Sequence, residues 1–155
     1  MTSDLQRVDP QSIDTDLLAL AASRNVGALA TIKRDGRPQL SNVNFTLDPG
    51  AEGGPLVRAS VVDGLAKVAN LRRDPRASLM VTTPDGWSYA VLEGSVELSP
   101  VARATDDATV EELVDVYRRV RGEDHPDWED YRRAMVQDRR LVLRLRVGRA
   151  YGLVR

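Results

Sequence analysis

Cysteine is absent from this chain, histidine occurs once, and lysine appears only as Lys33 and Lys67. The lack of thiols excludes a disulfide framework, thiolate catalysis and zinc sites built from Cys and His. It also leaves His125 as the one residue through which a Ser-His dyad could form. A surplus of charge of either sign is missing too. With 22 basic and 23 acidic residues the net charge is -1, which argues against a nucleic-acid binder that needs a broad positive surface. No apolar run reaches the roughly 18 residues that cross a bilayer, and residues 1–10 lack the apolar core of a signal peptide. A soluble cytoplasmic protein without a membrane partner is the expectation. The 155 residues, 42% of them hydrophobic, suffice for one compact domain over residues 1–155.

Ile13, Leu17, Leu18, Leu20 and Ala21 share a stripe at helical spacing, with Asp14 and Asp16 in the first turn, so residues 12–25 read as an amphipathic helix. Residues 26–32 are apolar and β-branched and run into Asp35-Gly36, a tight-hairpin signal, with a returning strand at 38–47. The Gly-rich stretch 48–54 is a loop, residues 55–62 are a third strand, and Leu65, Val68, Ala69 and Leu71 form a short helix that stops before Asp74-Pro75. Strands at 77–82 and 87–98 flank Pro84-Asp85-Gly86.

The period then changes. Val110, Leu113, Val114, Tyr117 and Val120 share a helical face that Gly122 ends, and Thr109 with Glu112 has capping-box spacing. Trp128, Tyr131 and Met135 mark another helix, residues 141–147 alternate as a sixth strand, and 151–154 extend it. The division is therefore a helix at 12–25, barrel strands at 26–98, a helical insertion at 105–138 and final strands at 140–154. Six antiparallel strands with peripheral helices make this a mainly β, α+β protein: a small closed or nearly closed barrel rather than a parallel doubly wound sheet. Side chains fill the interior of such a barrel, so a large ligand must bind on its outer wall or between two copies.

Catalytic machinery is sparse. His125 reads as part of a solvated turn in preference to a metal loop, and Glu93 as part of an exposed strand face in preference to a general acid, so no catalytic or metal residue is assigned. Phosphate recognition has better candidates. Lys67 falls in the first turn of the helix after strand three, where its ammonium, the Ser60 hydroxyl and unpaired backbone N–H groups could converge on an anion; a surface lysine is the alternative. Pro38, Gln39, Leu40, Ser41 and Asn42 could line a flat aromatic ligand, with Trp87 and Tyr89 stacking from one strand face; ordinary packing and solvation compete with that reading. Arg72, Arg73 and Arg76 could hold an acidic tail or simply charge a helix end.

Three blocks carry a resemblance: Val26-Gly27-Ala28-Leu29-Ala30-Thr31, Asp35-Gly36-Arg37-Pro38-Gln39-Leu40-Ser41-Asn42-Val43, and Lys67-Val68-Ala69-Asn70-Leu71-Arg72-Arg73-Asp74-Pro75-Arg76-Ala77. Together they resemble the pyridoxamine 5'-phosphate oxidase-like split β-barrel superfamily, a Greek-key, FMN-binding barrel. Asp85-Gly86-Trp87-Ser88-Tyr89-Ala90, the helix from Val110 and the segment from Asp127 to Arg140 are similar to its actinobacterial branch that uses the deazaflavin coenzyme F420. The match runs from about residue 12 to the C-terminus, in family order.

The resemblance implies a homodimer with cofactor sites at the subunit interface. It implies phosphate contacts at Ser60, Val61, Ala66 and Lys67, a ring laid along Pro38, Gln39, Leu40, Ser41 and Asn42, and Trp87 and Tyr89 approaching from the partner chain. Close relatives carry an arginine where this chain has Leu65, so either Arg58 substitutes or cofactor affinity is weakened. The C-terminal Trp and Arg-x-His pattern of true pyridoxamine phosphate oxidases is missing from Tyr151-Gly152-Leu153-Val154-Arg155, which argues against vitamin B6 oxidation. The implied activity is hydride transfer between reduced F420 and a conjugated small molecule. The alternatives are an FMN-binding oxidoreductase on the same barrel and a carrier that binds deazaflavin without turnover.

Overall fold

The computed structural model describes residues 13–155. Ser12, at the expected start of the first helix, and residues 1–10, read as lacking a signal-peptide core, lie outside the described residues. Along the chain run α1 (Thr15–Ala22), β1 (Val26–Ile32), β2 (Pro38–Asp48), β3 (Leu56–Val62), α2 (Ala66–Arg73), β4 (Arg76–Thr82), β5 (Tyr89–Leu98), α3 (Ala108–Arg121), α4 (Trp128–Gln137) and β6 (Arg140–Leu153). No described helix is long and apolar enough to cross a membrane.

The six strands close into an antiparallel barrel in the order β1-β2-β3-β6-β5-β4. Period-2 patterning drives this closure, because alternate residues of each strand turn inward and exclude water together. Leu29, Phe45, Val57, Leu79, Leu92, Leu143 and Leu145 form the interior, each worth about 1.5–3 kcal/mol on burial. From α1, Leu17 and Leu18 join the same cluster, as do Val68 and Leu71 from α2. On β6 the alternation splits the core, since Leu141, Leu143 and Leu145 face the barrel while Val142 packs outward with Val110, Leu113, Tyr131 and Met135. That outer cluster seats α3 and α4 against the wall.

Two further devices shape the wall. Gly36 takes φ 87° in the β1–β2 turn, where Lys33 N–H donates to the Arg37 carbonyl oxygen at 2.9 Å. In β5 the register slips between Glu93 and Gly94, and a Cβ at Gly94 would overlap the Arg146 carbonyl oxygen. The decisive irregularity lies between β2 and β3. They pair only where Phe45 to Asp48 meet Leu56 to Ala59, although β2 begins at Pro38 and β3 continues to Val62. Beyond Phe45 and Ala59 the two strands part and the barrel wall opens.

Three local expectations need correction. Trp87 is not in β5: Asp85 Oδ1 accepts from the Trp87 N–H at 3.0 Å and the Ser88 carbonyl accepts from Thr83 N–H at 3.0 Å, so the turn retains residues 83–88. Thr109 and Glu112 do not form the cap of α3. Asp107 is the N-cap and accepts from Val110 N–H at 2.8 Å, while Thr109 donates to the Pro100 carbonyl and Glu112 turns to the barrel arginines. Finally, α1 starts at Thr15, because the Asp14 carboxylate accepts from Asp16 N–H at 2.8 Å and caps it.

Candidate functional site

Where β2 and β3 part, a cavity of about 390 Å³ opens. Its polar wall comes from four elements: Asn42 and Asn44 on the outward face of β2, Ser60 on β3, Lys67 at the second position of α2, and Arg140 at the head of β6. Opposite them α3 and α4 supply an apolar wall of Val116, Tyr117, Tyr131 and Met135. The Tyr131 hydroxyl donates to the Leu113 carbonyl at 2.9 Å, and burial pushes its pKa up to about 12, so it stays a neutral wall residue.

Positive charge collects in this cavity without counter-charge. Lys67 Nζ donates to Ser41 Oγ at 3.4 Å, and Arg140 Nη1 donates to Ser60 Oγ at 3.4 Å. Among the described residues neither cation, nor Arg121 at the cavity rim, forms an ion pair with a carboxylate. Burial, and then the neighbouring Arg140 charge, lowers the pKa of Lys67. The Nε of Arg140 is buried with no hydrogen-bond partner. A buried N–H without an acceptor is costly, and two cations without carboxylate partners favour an anion between them, so this donor set fits a phosphate.

The cavity brings together Asn42, Ser60, Val61 and Lys67 of the expected residues, with Ser41 reached through Lys67. Ala66 opens α2 beside them without lining the cavity. Leu65 reaches the rim and is 45% exposed.

Other expected residues go elsewhere. Gln39 accepts from the Thr31 hydroxyl at 3.2 Å, and Thr31 accepts in turn from Asn70 Nδ2 at 3.1 Å, so the Gln39 amide oxygen is engaged within the protein. Leu40 is 66% exposed on the outer wall, and Pro38 borders a separate depression with Ile32, Ser78 and Glu93. Trp87, 64% exposed, lies under the Arg155 guanidinium at 5.5 Å, while Tyr89 is half-buried at the start of β5.

Arg58, the expected substitute for the arginine missing at position 65, is engaged elsewhere. Its guanidinium pairs with Asp115 at 2.7 Å and Glu112 at 3.5 Å under α3, away from the cavity. The run Arg72, Arg73 and Arg76 is also spent locally. Arg72 pairs with Asp63 at 2.7 Å, Arg73 donates to the Ile32 carbonyl at 2.6 Å, and Arg76 pairs with Asp74 at 2.8 Å. His125 sits among Tyr117, Trp128 and Tyr131 with ring centroids 5.2–5.8 Å away, and its Nδ1 accepts from Asp127 N–H.

Sequence reasoning did not single out Arg140. Its position depends on the β3–β6 register, which sets Arg140 opposite Val62 across a separation of 78 residues. No local pattern carries that pairing; in the sequence Arg140 shows as the end of the segment that resembles the F420-using branch and as part of an arginine doublet before an apolar strand.

Comparison with known proteins gives a family and a fold. The family model described as pyridoxamine 5'-phosphate oxidase matches residues 13–153. Among solved structures, a conserved hypothetical protein from Mycobacterium tuberculosis is similar with a TM-score of 0.68 at 23% identity, over 90% of this chain and 82% of that one. A protein described as an F420 reductase is similar with a TM-score of 0.62 at 23% identity, over 86% and 94%. A heme-binding protein from Mycobacterium smegmatis is similar with a TM-score of 0.59 at 27% identity; the match covers 86% of this chain and 50% of that protein.

Proposed function

The chain belongs to the pyridoxamine 5'-phosphate oxidase family, and from that premise we propose that it is an oxidoreductase that works with a flavin-type cofactor, coenzyme F420 first. The observation that carries the reading is the cavity at the β2–β3 parting, where Lys67 and Arg140 lack carboxylate partners among the described residues. Bound F420 would supply hydride transfer between its ring and an electron-poor, conjugated small molecule. Lys67 and Ser60 would hold the cofactor phosphate by charge-assisted and hydroxyl hydrogen bonds, with the Ser41 hydroxyl steadying Lys67. Asn42 and Asn44 offer amides to a ring edge, and Tyr117, Tyr131 and Met135 exclude water from one side. No side chain is assigned a proton-transfer role.

The likeness to an F420 reductase and the sequence blocks resembling the F420-using branch favour F420. FMN is the second reading, because Arg72, Arg73 and Arg76, the cations expected for an acidic tail, are already engaged. A homodimer with interfacial sites belongs to the same proposal. Asn42, Ala28, Met80, Val91 and Tyr151 form one cross-strand row on the outer wall, and Leu40 follows two residues along β2 from Asn42. Met80, Tyr151 and Leu40 are exposed there, an apolar face that starts at the lip of the cavity and suits a second copy.

Turnover separates an enzyme from a carrier. Protein loaded with reduced F420 is mixed anaerobically with a panel of enones, quinones and nitroaromatics, and reoxidation of the cofactor is followed by absorbance. Catalytic reoxidation by at least one panel member supports the oxidoreductase. Stoichiometric binding with no reoxidation across the panel assigns the carrier role instead.

A further inference from the structure

We propose that Arg140 is the second cation of the anion seat, meeting phosphate with its guanidinium and so doing the work that neither Leu65 nor Arg58 can do. The inference rests on the functional reading above for the identity of the ligand, but the need for an anion stands on the geometry alone. A planar guanidinium binds phosphate best through two parallel N–H groups. In Arg140 the Nη1 is steadied by the Ser60 hydroxyl and carbonyl, at 3.4 and 3.5 Å, which leaves Nε buried and unmatched. Lys67 borders the same cavity, and its charge repels that of Arg140 until an anion lies between them.

The spacing of the two cations is fixed from outside the cavity. Arg139 takes φ 54°, in the left-handed region that an arginine rarely adopts, and its carbonyl accepts from Asp63 N–H at 2.9 Å. Its guanidinium bonds one Asp63 carboxylate oxygen at 2.7 Å, and Arg72 bonds the other at 2.7 Å. Asp63 lies in the turn that leads from β3 into α2. This one carboxylate therefore fastens the turn that leads into α2, the helix of Lys67, to the junction that carries Arg140. Arg139 faces the clamp, and Arg140, the next residue, faces the cavity.

The alternative is that Arg140 merely props β6. Calorimetric titrations with inorganic phosphate and with FMN, at constant ionic strength, are run on wild type, Arg140→Gln and Arg140→Lys, with a titration of wild type with F420 and melting curves of each ligand-free protein. The proposal expects Arg140→Gln to lose at least tenfold in affinity for both ligands and Arg140→Lys to recover part of the loss. Ligand-free Arg140→Gln is expected to melt at or above the wild-type temperature, since a cation that repels Lys67 has been removed. Affinity within twofold of wild type for both ligands, a lowered melting temperature, or failure of Arg140→Gln to fold overturns the proposal. Wild type that binds phosphate but neither FMN nor F420 removes the cofactor reading and leaves Arg140 as an anion ligand. Wild type that binds none of the three removes both.

Discussion

Lys67 and Arg58 illustrate how the surroundings of a cation decide its use. Arg58 shares two carboxylates under α3, whereas Lys67 meets only a serine hydroxyl and a second cation. Replacing Lys67 with Ala is predicted to weaken F420 and FMN binding by about 10- to 100-fold, the worth of a charge-assisted hydrogen bond, as read by fluorescence titration. The pH dependence has a definite sign. Burial and the Arg140 charge lower the folded-state pKa of Lys67, so the fold favours the neutral amine, and ligand-free stability rises as pH increases through the range below the ordinary lysine value. Anion affinity moves the other way. FMN affinity in wild type is predicted to fall over that range and to stay level in Lys67→Arg, whose charge persists; equal slopes in the two proteins would remove Lys67 from the seat.

At the scale of elements, α3 is held on the barrel by charge as well as by its apolar stripe. Glu112 bonds Arg144 and lies 3.5 Å from Arg58, while Asn25 Nδ2 donates to the Val120 carbonyl at 3.1 Å. Burial alone would push the Glu112 carboxyl up, but Arg144 and Arg58 together outweigh it and hold it below its usual range. Glu112 therefore stabilises the fold above the ordinary glutamate range, and that contribution is lost as pH falls through its lowered pKa. Glu112→Gln is predicted to cost about 1 kcal/mol in urea unfolding at neutral pH, because both arginines lose their least exposed carboxylate while Asp115 and Glu97 keep each of them paired. An unchanged midpoint would show that the apolar contacts alone hold α3.

The elements legible in the sequence are those set by local pattern. For β1 the apolar run and the Asp35-Gly36 turn fixed both ends, and the alternation of β6 with its extension was readable in the same way. Trp87 was misplaced because a carboxylate two residues back captured its N–H, which strand propensity does not reveal. The parting of β2 from β3 and the placement of Arg140 depend on pairings between distant segments, so neither had a local signature.

For the whole molecule, a barrel with side chains filling its interior leaves a cofactor only its wall and the space between copies. The row through Ala28 and Met80, with Leu40 and Tyr151 exposed nearby, gives that wall an apolar face next to the cavity. Light scattering is predicted to give wild type a mass twice the 17.1 kDa of one chain, and Met80→Glu the mass of a single chain. A monomeric wild type would contradict the interfacial arrangement. The central claim, that the parting of β2 and β3 seats the phosphate of a flavin-type cofactor, is tested most directly by titrating wild-type protein separately with F420 and FMN and following ligand fluorescence. The account predicts saturation at one equivalent per chain, tighter binding of F420 than of FMN, and displacement of either by inorganic phosphate. Absence of saturable binding by both ligands would contradict it.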